Sequence, residues 1–141
     1  MPAYFDTSVL IPLFFNEAGT AAARDQIALE ADVWVSHWTL AEFSSAVAFK
    51  LRSAQVHEPT ATTARRLFHE LVTSRLTVVD VLREDFLNAA GLCESLPAPG
   101  LRTPDALHLA VAQRLGLIMV SFDQTLISAC RACAVVCRGG E

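Results

Sequence analysis

Ala3-Tyr4-Phe5-Asp6-Thr7-Ser8-Val9-Leu10-Ile11 begins with a short apolar run that stops on an acid, and a second apolar run follows at once. The first run reads as a strand. The second, Ser8 to Phe15, reads as a helix kinked near Pro12, whose ring supplies no N–H to the helix ladder. The same handover recurs along the chain. Val33-Trp34-Val35-Ser36 is a short strand, and Thr39 to Ala54 is an amphipathic helix with Leu40, Phe43, Val47 and Leu51 on one stripe. Leu117 to Phe122 is a strand that ends at Asp123, and a short helix covers Thr125 to Cys133.

The intervening segments keep this rhythm. Gly19 to Leu29 is an Ala-rich helix, and Pro59 suits the first turn of a helix reaching about Ser74. Leu76 to Val81 is a β-branched strand, Arg83 to Leu96 a helix, and Pro97-Ala98-Pro99-Gly100 a loop. Thr103 to Leu115 is helical, with Gly116 where a C-cap belongs, and Ala134 to Cys137 is a last edge strand. Strands that are continuous apolar runs, alternating with helices, predict an α/β domain with a parallel sheet and right-handed crossovers. Residues 1–141 suffice for one domain with one core. The loops leaving parallel strands share one sheet edge, and ligands bind along that edge.

Hydrophobic residues make up 52% of the chain and charged residues 18%, a balance that suits a sheet covered on both faces. The formal net charge is -4, so binding to phosphates by bulk electrostatics is excluded, and any nucleic-acid contact needs a metal ion, a basic rim or a partner. No basic segment precedes the first apolar run, so no secretory leader is expected. Val9 to Phe15 is too short to span a membrane, and a cytoplasmic location follows as the default. Cys130, Cys133 and Cys137 are spaced C-x2-C-x3-C, but no fourth ligand stands near them. They read as small apolar residues in an Ala- and Val-rich segment rather than as a metal site.

Four carboxylates carry the chemistry, and each has a structural explanation of its own. Asp6 and Asp123 follow strands and precede helices, where an N-cap belongs. Glu42 stands three residues after Thr39, the spacing of a capping box, and Asp105 falls in the first turn of its helix, where an acid suits the dipole. Taken together they say more. Asp6, Glu42 and Asp123 each sit at a strand-to-helix handover and point to one sheet edge, whereas spacing alone does not bring Asp105 there. Converging carboxylates repel and call for a cation, and oxygen-only ligands favour Mg2+ or Mn2+ over Zn2+.

Tyr4-Phe5-Asp6-Thr7-Ser8-Val9-Leu10-Ile11 resembles the opening of PIN-domain proteins, in particular the VapC toxin ribonucleases. Thr39-Leu40-Ala41-Glu42-Phe43, Leu101-Arg102-Thr103-Pro104-Asp105-Ala106-Leu107-His108-Leu109-Ala110 and Val120-Ser121-Phe122-Asp123-Gln124-Thr125-Leu126 resemble the later acidic motifs, in the right order. The resemblance implies that Asp105 joins Asp6 in one pocket, a sheet order 3-2-1-4-5 and a homodimer. It also implies a Mg2+- or Mn2+-dependent endoribonuclease whose products carry a 5′-phosphate and a 3′-hydroxyl, and a cognate antitoxin as partner. Ser121 stands where many relatives carry Thr, and Pro104 before Asp105 is less usual.

On this reading Asp6 and Asp105 hold the metal directly, with Glu42 and Asp123 completing the site directly or through water. Thr7, Ser8 and Ser121 orient ligands or water, or alternatively cap helices and strand ends. Arg102, three residues before Asp105, is the candidate for a substrate phosphate, or a solvated loop residue. Lys50, Arg52, Arg65 and Arg66 read as helix-surface charges, and His108 as a packing residue between Leu107 and Leu109. Two other carboxylate folds fail on composition. A dehalogenase-type phosphatase needs a second Asp two residues after the first, where Ser8 stands, and a receiver domain needs a Lys after a late strand, whereas the one Lys is Lys50. A housekeeping RNA-processing nuclease and a non-catalytic binding module of the same fold remain as alternatives.

Overall fold

Tyr4 and its neighbours show how the sheet is buried. Ala3 and Phe5 point into one apolar layer and Tyr4 into the other, all fully buried, as the period of two along a strand requires. The computed structural model describes residues 2–96 and 100–139. In chain order the elements are β1 (Ala3–Phe5), α1 (Thr7–Leu10), a 3-10 turn (Ile11–Leu13), α2 (Thr20–Leu29), β2 (Val33–Ser36), α3 (His37–Arg52) and α4 (Glu58–Ser74). Then follow β3 (Leu76–Val79), α5 (Arg83–Ser95), α6 (Thr103–Leu115), β4 (Ile118–Val120), α7 (Gln124–Ala132) and β5 (Cys137–Arg138). The strands form one five-stranded sheet in the order β3-β2-β1-β4-β5, and every pairing is parallel.

Phe5, Val33, Val35 and Val120 face a layer that includes Val9 and Leu10 of α1, Ala23 of α2, Phe43 and Val47 of α3, and Phe68 of α4. The Phe43 and Phe68 rings stack 3.8 Å apart where α3 meets α4. On the opposite face Tyr4 and Met119 pack with Leu109 of α6 and with Leu126, Ala129 and Cys130 of α7. Outside that layer α5 lies on α6 through Ala89, Ala106, Leu107 and Ala110. An ion pair between a partly exposed Arg114 and a fully buried Asp85 ties the two helices. Arg114 donates from Nε and Nη2 to the two oxygens of Asp85, at 2.8 and 2.9 Å, and Asp85 also accepts the Leu82 N–H at 2.8 Å.

Several boundaries differ from the sequence reading. The helix expected over Ser8 to Phe15 ends at Leu10 and tightens into the 3-10 turn that contains Pro12. The expected edge strand at Ala134 to Cys137 forms later, at Cys137–Arg138. Ala134 has φ 59 and spends the intervening residues turning the chain back after α7. Strands β3 and β4 are shorter than the apolar runs that signal them, because pairing with a neighbour, not hydropathy, sets where a strand ends. Gly116 caps α6 with φ 65, the left-handed conformation expected of it. The loop expected at Pro97 to Gly100 lies outside the described residues except for Gly100, which is in a turn. Among the described residues no helix is long and apolar enough to cross a membrane.

Candidate functional site

Asp6 leaves the end of the central strand and caps α1. Its Oδ1 accepts the Ser8 N–H at 2.7 Å and the Ser8 hydroxyl, while Oδ2 accepts the Ser121 hydroxyl at 2.7 Å. Only 3% of Asp6 is exposed, and burial pushes its carboxyl up, against the pull of His108 and of the hydrogen bonds from Ser8 and Ser121. Ser8 Oγ accepts the Phe122 N–H and Ser121 Oγ accepts the Asp123 N–H, both at 3.0 Å. These two hydroxyls therefore stitch the end of β1 to the end of β4. Asp123 caps α7, its Oδ1 accepting the Leu126 N–H at 3.0 Å. For Asp6 and Asp123 the capping role and the place at the sheet edge coexist.

Glu42 arrives differently from the way its spacing suggests. Helix α3 begins at His37, directly after β2, and the capping exchange lies between Ser36 and Thr39, with the Ser36 N–H donating to Thr39 Oγ1 at 3.2 Å. Glu42 is therefore neither part of a Thr39 capping box nor at the strand-to-helix handover. It sits inside the helix and reaches back toward β1, where its Oε1 accepts the Thr7 hydroxyl at 2.7 Å and meets His108 Nε2.

His108 is the residue that the sequence reading missed. It is not a mere packing residue between Leu107 and Leu109, although it is just 2% exposed. Its Nδ1 lies 2.7 Å from the Tyr4 hydroxyl, which in turn lies 2.8 Å from Ser36 Oγ. Nε2 meets the Glu42 carboxylate, and the Tyr4 hydroxyl bridges Nδ1 and Ser36 Oγ. Burial pushes the Tyr4 phenol well above its usual range, so it keeps the proton that this chain of hydrogen bonds requires. The signal in the sequence was the i, i+3 spacing from Asp105 to His108, which puts both on one face of α6.

Asp105 is the acid that strand spacing left unplaced. It lies in the first turn of α6, half-buried, and that turn is tied to α3 by the Trp38 Nε1–H donating to the Pro104 carbonyl at 3.3 Å. Burial is the main influence that raises its carboxyl, to about 6. Asp123, Asp6 and Glu42 push the same way, and His108 opposes them. All three other acids are thus close enough to act on Asp105, and among the described residues no hydrogen bond reaches its carboxylate. Also among those residues, no three Asp, Glu, His or Cys side chains close into a ligand cage. Of the four acids Glu42 lines an open cleft, and Asp6 is buried behind it.

Arg102 precedes α6 and is exposed, with no ion pair among the described residues. It lines a cleft of about 910 Å³ beside Glu42 and Thr7. Arg65 and Arg66 pair on the surface with Glu58 and Glu70 at 3.2 Å, and Lys50 pairs with Glu17 at 2.9 Å. The cysteines are free thiols. Cys130 is buried in the α7 layer, where burial pushes its thiol up, with Cys137 and Cys133 adding to the shift.

Compared with curated proteins, the sequence matches none. Compared with solved structures, the fold is similar to that of VapC20 of Mycobacterium tuberculosis, described as a sarcin-ricin loop cleaving toxin. The TM-score is 0.72 at 19% identity, over 90% of this chain and 94% of that one. It is also similar to VapBC2 of Rickettsia felis, bound to a DNA fragment from its promoter, with a TM-score of 0.69 at 18% identity over 98% of each chain. FitAcB of Neisseria gonorrhoeae gives a TM-score of 0.67 at 17% identity, over 97% of this chain and 96% of that one. At these identities the likeness is one of fold. The PIN domain family profile matches residues 3–132, a span that takes in β1, every acid described above and α7; the chain belongs to the PIN domain family.

Proposed function

We propose that this chain is an endoribonuclease that uses a divalent cation, Mg2+ or Mn2+, and that it is the toxin of a toxin–antitoxin pair. The observation that carries the reading is Asp105, half-buried in the first turn of α6, with no hydrogen bond to its carboxylate among the described residues and with Asp123, Asp6 and Glu42 within electrostatic reach. Such a site stores repulsion that a cation would relieve. Its donors are all carboxylate oxygens, since the one nearby imidazole nitrogen is engaged with Glu42.

Asp6 and Asp105 would hold the ion, with Glu42 and Asp123 reaching it directly or through water. When bound, the cation supplies Lewis-acid polarisation of a phosphodiester and a lowered pKa for an attacking water. The remaining residues orient. Ser8 and Ser121 fix both oxygens of Asp6, and Thr7 and His108 fix Oε1 of Glu42. Arg102, which lines the cleft beside Glu42, would contact a phosphate.

The toxin assignment draws support from the similar structures, which include a toxin that cleaves the sarcin-ricin loop and a toxin–antitoxin complex from Klebsiella pneumoniae. A cluster of acids at the sheet edge also suits the basic side chain of an inhibitory partner. Purified protein should cleave single-stranded or looped RNA in Mg2+ or Mn2+, and EDTA should stop it. Asp105→Asn should remain folded and lose nearly all cleavage. Full activity in EDTA, traced to the protein, would remove the cation from the mechanism. Harmless overexpression, together with purification from native cells without a small partner, would leave an RNA-processing nuclease in place of a toxin.

A further inference from the structure

Glu42, Ser45, Ala46, Phe49 and Arg52 recur at three- and four-residue spacing and line one cleft, so they form a continuous stripe along α3. From Glu42 to Arg52 the stripe runs about 15 Å at the helical rise. It begins at Glu42 and leads away from the other acids. Ser45 and Ala46 are small and leave a shallow floor. Phe49 is 56% exposed, although Phe43 and Val47 of the same helix supply its core face.

The charges along this cleft are of two kinds. The Lys50 ammonium is engaged, 2.9 Å from a Glu17 carboxylate and 5.0 Å from the centre of the Phe15 ring. Arg52 and Arg102, in contrast, are exposed and have no ion pair or hydrogen bond among the described residues. In a chain with net charge -4, two guanidinium groups that line the same cleft as Glu42 are a local basic rim.

An exposed ring flanked by free guanidinium groups fits single-stranded nucleic acid, whose bases offer a stacking face and whose backbone offers one charge per nucleotide. A hydrophobic protein segment would find, among the described residues, a single ring there and two cations without an ion pair. We infer that the α3 stripe is the track along which single-stranded RNA reaches the acids at the sheet edge, with Phe49 stacking a base beyond the scissile phosphate and Arg52 holding a phosphate further out. This rests on the nuclease reading above and assigns it a binding surface. Phe49 and Arg52 touch substrate at a distance from the reacting atoms, so they act on binding rather than on bond cleavage.

The test uses a short fluorescent single-stranded RNA. Its affinity is measured by anisotropy in the Asp105→Asn background, and its cleavage in the otherwise unaltered chain with Mn2+. Phe49→Ala should raise Kd and KM at least about fivefold, with kcat within twofold and an unchanged salt dependence; Phe49→Trp should restore binding. Arg52→Gln should weaken binding similarly and reduce the slope of log Kd against log salt by about 0.7, the value for one lost phosphate contact on a single strand. Arg66→Gln, on the surface of α4, should leave all parameters unchanged. Wild-type cleavage of RNA, with Kd and salt slope unaltered in Phe49→Ala and Arg52→Gln, would overturn the track and leave the nuclease standing. Loss of antitoxin affinity with normal RNA binding would make the stripe a protein-docking face, which also overturns it. A wild-type chain that neither binds nor cleaves RNA would end both readings.

Discussion

Replacing Asp105 by Asn should stabilise the metal-free protein, although it removes an acid from a helix N-terminus. In the folded chain the Asp105 carboxyl is raised from 3.8 to about 6, by burial first and then by Asp123, Asp6 and Glu42. Between about pH 4 and about pH 6 the folded chain keeps a proton there that the unfolded chain has released. The folded state then binds more protons, so stability falls as pH rises through that window. Below it both states are protonated and the penalty is absent; above it the penalty is complete.

At about 1.4 kcal/mol per pH unit the difference corresponds to about 3 kcal/mol. Asp105 is half-buried, and solvent screening reduces this to about 1–2 kcal/mol. Loss of the acid from the first turn of α6 costs about 0.3–1 kcal/mol of charge–dipole attraction. The net is a gain of about 1 kcal/mol, or about 3 °C in Tm for a chain of this size. Thermal melts in EDTA at pH 7.5 should therefore place Asp105→Asn above wild type. The gap should close as the pH falls toward 4. Mg2+ should raise the Tm of wild type and leave the variant nearly unmoved. A variant that melts at or below wild type at pH 7.5, with a parallel pH profile, would refute the view that Asp105 stands in the field of the other acids.

Arg114→Gln should cost about 3–5 kcal/mol in urea melts, because Asp85 is fully buried and would keep its charge without its partner; a loss below 1 kcal/mol would show that water reaches Asp85. Tyr4→Phe should destabilise by about 1–3 kcal/mol, since His108 Nδ1 and Ser36 Oγ lose a shared buried partner. The same variant should lower RNA cleavage by loosening Glu42, and full activity would detach the hydrogen-bonded chain from the site. Cys130 should resist alkylation at pH 8 in the native protein and react on unfolding, because burial pushes its thiol up; rapid labelling by mass spectrometry in the native state would contradict its place in the α7 layer.

The alternation of apolar runs with amphipathic stretches is a local property, with each residue compared with others two to four positions away. For that reason the sequence alone located β1, β2, α4 and α6 to within a residue or two, together with the left-handed cap at Gly116. It also placed Asp6 and Asp123, because an acid at a strand end is carried to the sheet edge by the strand itself. Asp105 follows a loop, and its approach to Asp6 depends on how α6 seats against β1 and β4. Family resemblance supplied that neighbourhood; periodicity did not. Glu42 was assigned to the right edge by the wrong route. Helix α3 starts earlier than its apolar stripe suggests, because Ser36 rather than Thr39 takes the N-cap position. The Tyr4–His108–Glu42 chain joins residues 104 and 66 positions apart, and no window along the sequence spans such distances. What a side chain meets across the core is set by packing of the two helical layers on the sheet, and so the hydrogen bonds of His108, the charge felt by Asp105 and the cleft along α3 belong to the tertiary structure.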